Sequence, residues 1–226
     1  MASHGLDAPR PVLTLAALLS WLVAWCGVGL GDVAEGDLLF LSPLRGNAIT
    51  AVTAGPGGLS VDHVAIAHRI GGAGGPLYVV EAVGRGVTLT PVDSLLVRDG
   101  VGQVSVGRVL GIDGPRSVRR ALGYVGRPYD WFFEPGDSAV YCSELVLLSL
   151  VDACGNPLLA PVPMTFRDAS GEIPAFWTGH YGKRGLPVPE GAPGSNPSEL
   201  SRRREVEIIG VLEVPVADGC GSRTTR

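Results

Sequence analysis

Three residues of this 226-residue chain, a cysteine, a histidine and a glutamate, are of the types that together perform acyl transfer. Cys142 stands where the turn formers Gly136, Asp137 and Ser138 give way to "YCSELVLLSLV", an apolar run of helical period. A thiol attacks as its thiolate, and the unpaired N–H groups and macrodipole of a helix N-terminus favour that charge. The same N–H groups can donate to an oxyanion. The competing fate is an inert core cysteine, because free cysteines are among the most buried residues. A base within reach decides between them.

Four histidines are available. His4 precedes an apolar leader and His180 lies in a loop-rich C-terminal part. His63 and His68 share the strand-like "VDHVAIAHRI", and their odd spacing sends them to opposite faces of a sheet. His63 opens that strand beside Asp62 and a glycine-rich loop, so by itself it reads as a polar strand end more readily than as a base. An imidazole base also needs an acceptor that fixes its tautomer. Glu81, within "LYVVEAV", is a carboxylate that a buried face rejects unless it is paired. An adjacent antiparallel strand carrying His63 supplies the partner, whereas strand alternation alone allows Glu81 to face solvent. No cysteine and histidine spacing fits zinc, and "GGAGG" lacks the Lys-Ser/Thr of a phosphate loop, so neither metal nor cofactor is expected.

The elements that must position these residues follow from pattern. "GDLLFLS" reads as a short buried strand and "AVTAGPGGLS" as a loop. Val61–Ile70, Leu77–Val83, "GVTLTPV" and "GQVSVGRVL" read as a meander of antiparallel strands. A helix is predicted from about Arg116 to Val125, then an aromatic loop, "GRPYDWFFEPGDSAVY", then a helix from Cys142 to about Cys154 stopped by Gly155. Residues 156–204 are rich in proline and glycine, the signature of a functional or surface-wrapping loop. Glu205–Val214 is a last strand, before a flexible tail over 216–226.

Composition bounds the rest. Hydrophobic residues make up 46% and the net charge is −4, which suits a folded core and argues against nucleic acid. Residues 11–31 are apolar and uncharged, and predict a signal peptide or membrane anchor over 1–31, with residues 32–215 working outside the cytoplasm, secreted, periplasmic or tethered. Trp25 before Cys26 is a poor lipidation context. In an oxidising compartment Cys142, Cys154 and Cys220 are an odd set. A continuous helix would keep Cys142 and Cys154 apart, leaving Cys154 with Cys220 as the pair and Cys142 as the thiol.

"EGDLLF", "DHVAIA", "VVEAV", "RPYDWFF" and "YCSELV", spread over Glu35–Val146, together resemble the YiiX/YebB-like branch of the NlpC-type, circularly permuted papain-like cysteine hydrolases. The order, histidine first, acidic residue second and cysteine last, is the reverse of papain-like enzymes. The resemblance implies an α+β fold, an antiparallel sheet packed against helices, with the nucleophile at a helix N-terminus. It implies Cys142 as nucleophile, His63 as base and Glu81 as the orienting residue. Tyr141, Tyr129 and Asp130 fall where oxyanion or substrate-shaping groups are expected, although aromatic loops often only pack. Glu144 reads as a capping or surface charge.

The function expected is cleavage of an amide through an acyl-enzyme, in a cell-wall peptide or related substrate. A lipid-directed acyltransferase or esterase with the same site is one alternative, and a non-catalytic binding module is another.

Overall fold

The computed structural model describes residues 27–53, 58–136 and 138–213. Most of the leader, with Cys26, and also Asp137, Cys220 and the tail lie outside them. Among the described residues no helix is long and apolar enough to cross a membrane.

The sheet is built from β1 (Gly27–Val28), β2 (Leu38–Pro43), β3 (His63–Arg69), β4 (Leu77–Val83), β5 (Gly86–Pro91), β6 (Val101–Val109) and β9 (Val206–Leu212) in the order β1-β9-β6-β2-β3-β4-β5. All neighbours are antiparallel except β1 with β9. β2 lies inside the sheet, which is why "LLFL" is apolar at every position and not only alternate ones. The meander expected from the sequence over β3 to β6 holds from β3 to β5 only. β6 crosses back to pair with the free edge of β2, whose apolar residues on both faces are covered by the two cores. The edge strand β1 takes up Gly27 and Val28, so the folded part begins before Asp32.

Each face carries a core. On one, Leu38, Phe40, Val64, Ile66 and Val80 pack under α3 (Gly114–Leu122) and α4 (Cys142–Ser149). On the other, Leu39, Leu41, Ala65, Val79 and Val106 pack with Val92 and Leu95 of the short α2 (Val92–Leu96). The helix α3 starts where Asp113 accepts from the Arg116 N–H at 3.0 Å.

Three expectations are corrected here. α4 ends at Ser149, well before Cys154, because Val151 becomes extended and bridges Pro157, while the Asp152 carboxylate gathers the Cys154 and Asn156 N–H groups into a turn. Gly155, at φ 88°, belongs to that turn and does not stop the helix. Cys142 and Cys154 are nevertheless both unpaired with each other, the first buried and the second exposed. Upstream, the expected loop after Ala51 begins as helix α1 (Ala48–Thr53), because the Asn47 carboxamide caps it by accepting from Ile49 and Thr50 at 3.0 and 3.1 Å. Residues 156–204 hold β7 (Val162–Pro163), α5 (Ala175–Gly182), β8 (Pro193–Gly194) and α6 (Pro197–Leu200). Met164, Phe166, Trp177 and Tyr181 of this segment form a third apolar cluster with Val52 of α1.

Candidate active site

Glu81 is fully buried in β4, on the same face as Leu77 and Val79. Its carboxylate is satisfied from three sides. Thr90 Oγ1 donates at 2.7 Å, Arg98 donates through both terminal nitrogens at 3.0 and 2.5 Å, and His63 Nε2 lies 2.7 Å away. Burial opposes the charge, but the bonds from His63 and Arg98 outweigh it and lower the carboxyl from 4.5 to about 2. A glutamate on the solvent face is thereby excluded.

His63 reaches this carboxylate because β3 and β4 part at their ends. Their ladder runs only from Ile66↔Val80 to Arg69↔Leu77, so the residues before Ile66 have no partner on β4. His63, the first residue of β3, sits in the opening with its side chain 15% exposed. Its ring pairs with Glu81, which belongs to one core, and lies beside the Cys142 thiol, which belongs to the other. Burial disfavours the imidazolium, yet hydrogen bonds to the thiol and the carboxylate and the charges of both raise it from 6.5 to about 9.

Cys142 is the first residue of α4, after Tyr141 in extended conformation (φ −96°, ψ 167°). Val140, Leu145 and Val146 anchor that end of the helix in the core beneath β3. Cys142 is 5% exposed and lines a cleft between α4, α1 and the Met164–Phe166 segment. A second, wider groove is lined by His63, Arg45, Asn47 and Asp62. Tyr129 borders both.

The aromatic loop is held against the site by backbone. Gly86, at φ 108°, turns the chain from β4 into β5, and the Val87 N–H donates to Arg127 O at 2.8 Å. A Cβ on Gly86 would stand 2.4 Å from that same oxygen, so no other residue lets the loop come this close. Tyr129 follows at once, its phenol pushed up by burial and then by the charges of Cys142 and Asp130, and so protonated.

The two remaining candidates have other duties. The Tyr141 hydroxyl accepts from the Ser195 N–H at 3.3 Å and lies 4.0 Å from Met164 Sδ. Asp130 accepts from the Phe132 and Glu134 N–H groups at 2.8 and 2.6 Å, folding the loop so that Phe133 takes φ 53°. That places the Phe133 ring against Tyr141 and Trp177, at centroid distances of 5.1 and 5.9 Å. Glu144 is 7% exposed and accepts from Gly136 N–H at 3.4 Å, which corrects its reading as a surface charge: it ties the loop to α4.

Sequence reasoning missed Arg98, Thr90 and Asn47. Arg98 follows α2 in "LLVRDG", where an arginine reads as an ordinary surface charge, and only the fold brings it under β4. Thr90 had a signal, since it lies two residues from Thr88, the partner of Glu81, and on the same face. Asn47 Nδ2 donates to Asp62 Oδ2 at 2.5 Å, fixing α1 to the start of β3. The other described histidines lie apart from the thiol: His68 Nδ1 pairs with Glu35 at 2.9 Å, and His180 Nε2 is 2.7 Å from Trp131 O.

Residues 32–169 match the family described as permuted papain-like amidase enzyme, YaeF/YiiX, C92 family. The fold is similar to that of a protein reported as metalloprotein yiiX from Escherichia coli O157:H7. The TM-score is 0.61 at 22% identity, over 80% of this chain and 96% of that one. No match was found among curated proteins. With imidazole and carboxylate in contact beside the thiol and the family match spanning β2 to β6, α3 and α4, the chain belongs to the permuted papain-like amidases of the YaeF/YiiX, C92 family.

Proposed function

We propose that this protein is an exported cysteine amidase that opens an amide of a cell-wall peptide or a related conjugate through an acyl-enzyme. One observation carries the reading: His63 lies between the Cys142 thiol and the buried Glu81 carboxylate. His63 Nε2–H donates to Glu81, which leaves Nδ1 for the thiol. Transfer of the thiol proton gives a thiolate beside an imidazolium, the state that the raised His63 favours. The sulfur adds to the carbonyl carbon, and the oxyanion takes donors from the Cys142 N–H in the first turn of α4 and from the protonated Tyr129 hydroxyl. The C–N bond breaks as His63 protonates the nitrogen. Water then attacks the thioester, giving its proton to His63, and the acid leaves as the sulfur departs.

Export rests on the apolar segment 11–31, and cell-wall amides on the compartment it implies. The Escherichia coli protein is titled a metalloprotein. Among the described residues here no group of three or more His, Cys, Asp or Glu is set to hold a metal ion, so no step is assigned to one. A lipid-directed acyltransferase or esterase at the same site is favoured by one feature, the apolar Ile49, Val52, Met164 and Trp177 beside Cys142. A non-catalytic binding module has no use for a buried carboxylate that orients an imidazole onto a thiol.

Iodoacetamide at neutral pH tests the pair, read by mass on each cysteine peptide. Cys142 is expected to alkylate faster than the exposed Cys154, and His63→Ala to slow Cys142 about tenfold or more while leaving Cys154 as it was. Equal labelling of Cys142 with and without His63 would refute the thiolate–imidazolium pair.

A further inference from the structure

The residues on either side of Cys142 both grip Ser195, which belongs to the C-terminal segment. The Ser195 N–H donates to the Tyr141 hydroxyl at 3.3 Å, and the Ser143 hydroxyl donates to Ser195 O at 3.1 Å. Both backbone groups of Ser195 are thereby used, which fixes the residue next to the nucleophile and leaves its hydroxyl over. Ser195 Oγ has no partner among the described residues, and neither has the indole Nε1 of Trp177. Each residue is only 3% exposed, and each lines the cleft that Cys142 lines. Buried polar atoms without a partner are rare in folded proteins, because they forfeit hydration and receive no bond in return. Two of them in the wall of one cleft, beside a nucleophile, mark the place of a ligand's polar groups. Both residues lie beyond the stretch 32–169 that matches the family.

We infer that Ser195 and Trp177 bind a peptide unit in the acyl part of the substrate, so that the enzyme takes peptidyl amides in preference to simple acyl amides. This rests on the amidase reading given above and narrows its substrate class. An indole N–H only donates and needs an acceptor, whereas a serine hydroxyl can donate or accept. A peptide unit carries one carbonyl oxygen and one N–H, and so answers both. A hydrocarbon chain carries neither and would seal the two atoms under apolar surface. A carboxylate suits the place less well, because the charged group at the cleft is Asp62 and, among the described residues, no lysine or arginine lines it. General acid chemistry assigns the cleft to the acyl part. The departing nitrogen takes its proton from His63, which does not line the cleft, while the acyl carbon stays on the sulfur of Cys142, which does. In that step the sulfur–carbon bond forms, the C–N bond breaks, and the nitrogen leaves with the His63 proton.

The test uses the full chain and two aminocoumarin amides of like shape. One carries N-acetylalanyl and the other 2-methylpentanoyl, in which two methylenes replace the peptide unit. N-Acetylalanyl should exceed 2-methylpentanoyl in kcat/KM by about a hundredfold, about tenfold for each hydrogen bond. Acid quenching should leave the N-acetylalanyl mass on the Cys142 peptide. Ser195→Ala and Trp177→Phe should each lower the ratio of the two substrates about tenfold. A merely structural role would weaken both substrates together and leave the ratio as it was, so a ratio unmoved by one substitution removes that residue from the assignment. Thermal unfolding gives a second reading for Ser195→Ala, which should melt at or above the wild-type temperature because the hydroxyl it loses is unpartnered. A clear drop would mean that the hydroxyl has a partner within the protein and overturns its role. A ratio near one in the wild type, with Cys142 acylated, overturns the peptide-unit inference and leaves the amidase reading standing. No acylation of Cys142 by either amide, in protein whose circular dichroism shows it folded, overturns both.

Discussion

His63 Nε2 lies 2.7 Å from Glu81 Oε2, and these two residues join the faces of the sheet, because the carboxylate belongs to one core and the thiol that His63 also contacts belongs to the other. The contact needs β3 and β4 to separate after Ile66↔Val80. A ladder continued to its end would fill the opening with backbone hydrogen bonds and leave the ring on a single face. Catalytic geometry is therefore tied to a local defect in strand pairing, held open by the capped α1 through Asn47 and Asp62.

The first prediction concerns the charge of His63. Its raised value depends on the Cys142 thiol as well as on Glu81, so Cys142→Ser, which removes the negative partner, should move the His63 titration down from about 9. NMR titration of the ring protons reads this directly. The linkage to stability has a definite sign. A folded value above the unfolded 6.5 stabilises fully below pH 6.5, and the contribution is lost as pH rises through about 9. The stability gap between the wild type and His63→Gln should therefore shrink between pH 6 and pH 9.5. A gap that widens over that interval would show the imidazole buried neutral.

Glu81→Gln should be costly in two respects. It removes the acceptor that holds the His63 tautomer, and the rate of Cys142 acylation should fall about a hundredfold. It also leaves the partly exposed Arg98 facing a neutral amide, at a cost of about 1.5–3 kcal/mol in unfolding free energy. Denaturant unfolding and single-turnover acylation separate the two effects. A variant with normal acylation and only reduced stability would reduce Glu81 to a structural role.

Arg98→Met tests the acid side. Arg98 is among the groups that lower Glu81 to about 2, so its removal returns the carboxyl towards 4.5. A depressed carboxylate stabilises above its unfolded value and loses that contribution as pH falls through the folded one. The acid limb of both stability and kcat/KM should therefore move to higher pH in Arg98→Met, with Arg98→Lys intermediate because it keeps the charge and loses the two-point contact. An unmoved acid limb would remove Arg98 from the site.

How far the sequence carried this site can be judged from these same residues. Cys142, His63 and Glu81 were each singled out by local pattern, a helix start, a strand start and a charge in an apolar strand, but pattern left a bland reading open for each and only the family resemblance joined them. The two-faced apolar run in β2 was visible as well, but β6 on its far side was not, since pairing between distant strands leaves no local trace. Arg98 stayed hidden for the same reason. α4 was overextended because "LSLVDAC" keeps its apolar character past Ser149, although Val151 there serves an extended bridge to Pro157. Hydrophobicity reports burial in both conformations and does not tell them apart.

Asp130 is predicted to matter through the loop. Asp130→Ala removes two hydrogen bonds from a charged acceptor and leaves Phe133, at φ 53°, without its support. A loss of about 2–3 kcal/mol is expected, with faster proteolysis between Trp131 and Gly136. Asp130→Asn should recover part of it, because the amide oxygen still accepts. Unchanged proteolysis in Asp130→Ala would show that Phe133 is held by its ring contacts alone.

The two tyrosines next to the thiol should separate cleanly. Tyr141 already accepts from the Ser195 N–H and lies against Met164, so it has a structural partner on the C-terminal segment. Tyr141→Phe should cost about 1 kcal/mol in stability and less than about tenfold in acylation, well under the loss expected of an oxyanion donor. Tyr129 borders the cleft and the wider groove, is kept protonated by burial, and feels the charge of Cys142. Tyr129→Phe should lower kcat about a hundredfold with KM nearly constant, because the missing hydrogen bond forms only when the carbonyl oxygen becomes an oxyanion. Steady-state kinetics on both variants decides the assignment. Equal losses, or a larger loss in Tyr141→Phe, would move the oxyanion site from the aromatic loop to the residue that caps α4.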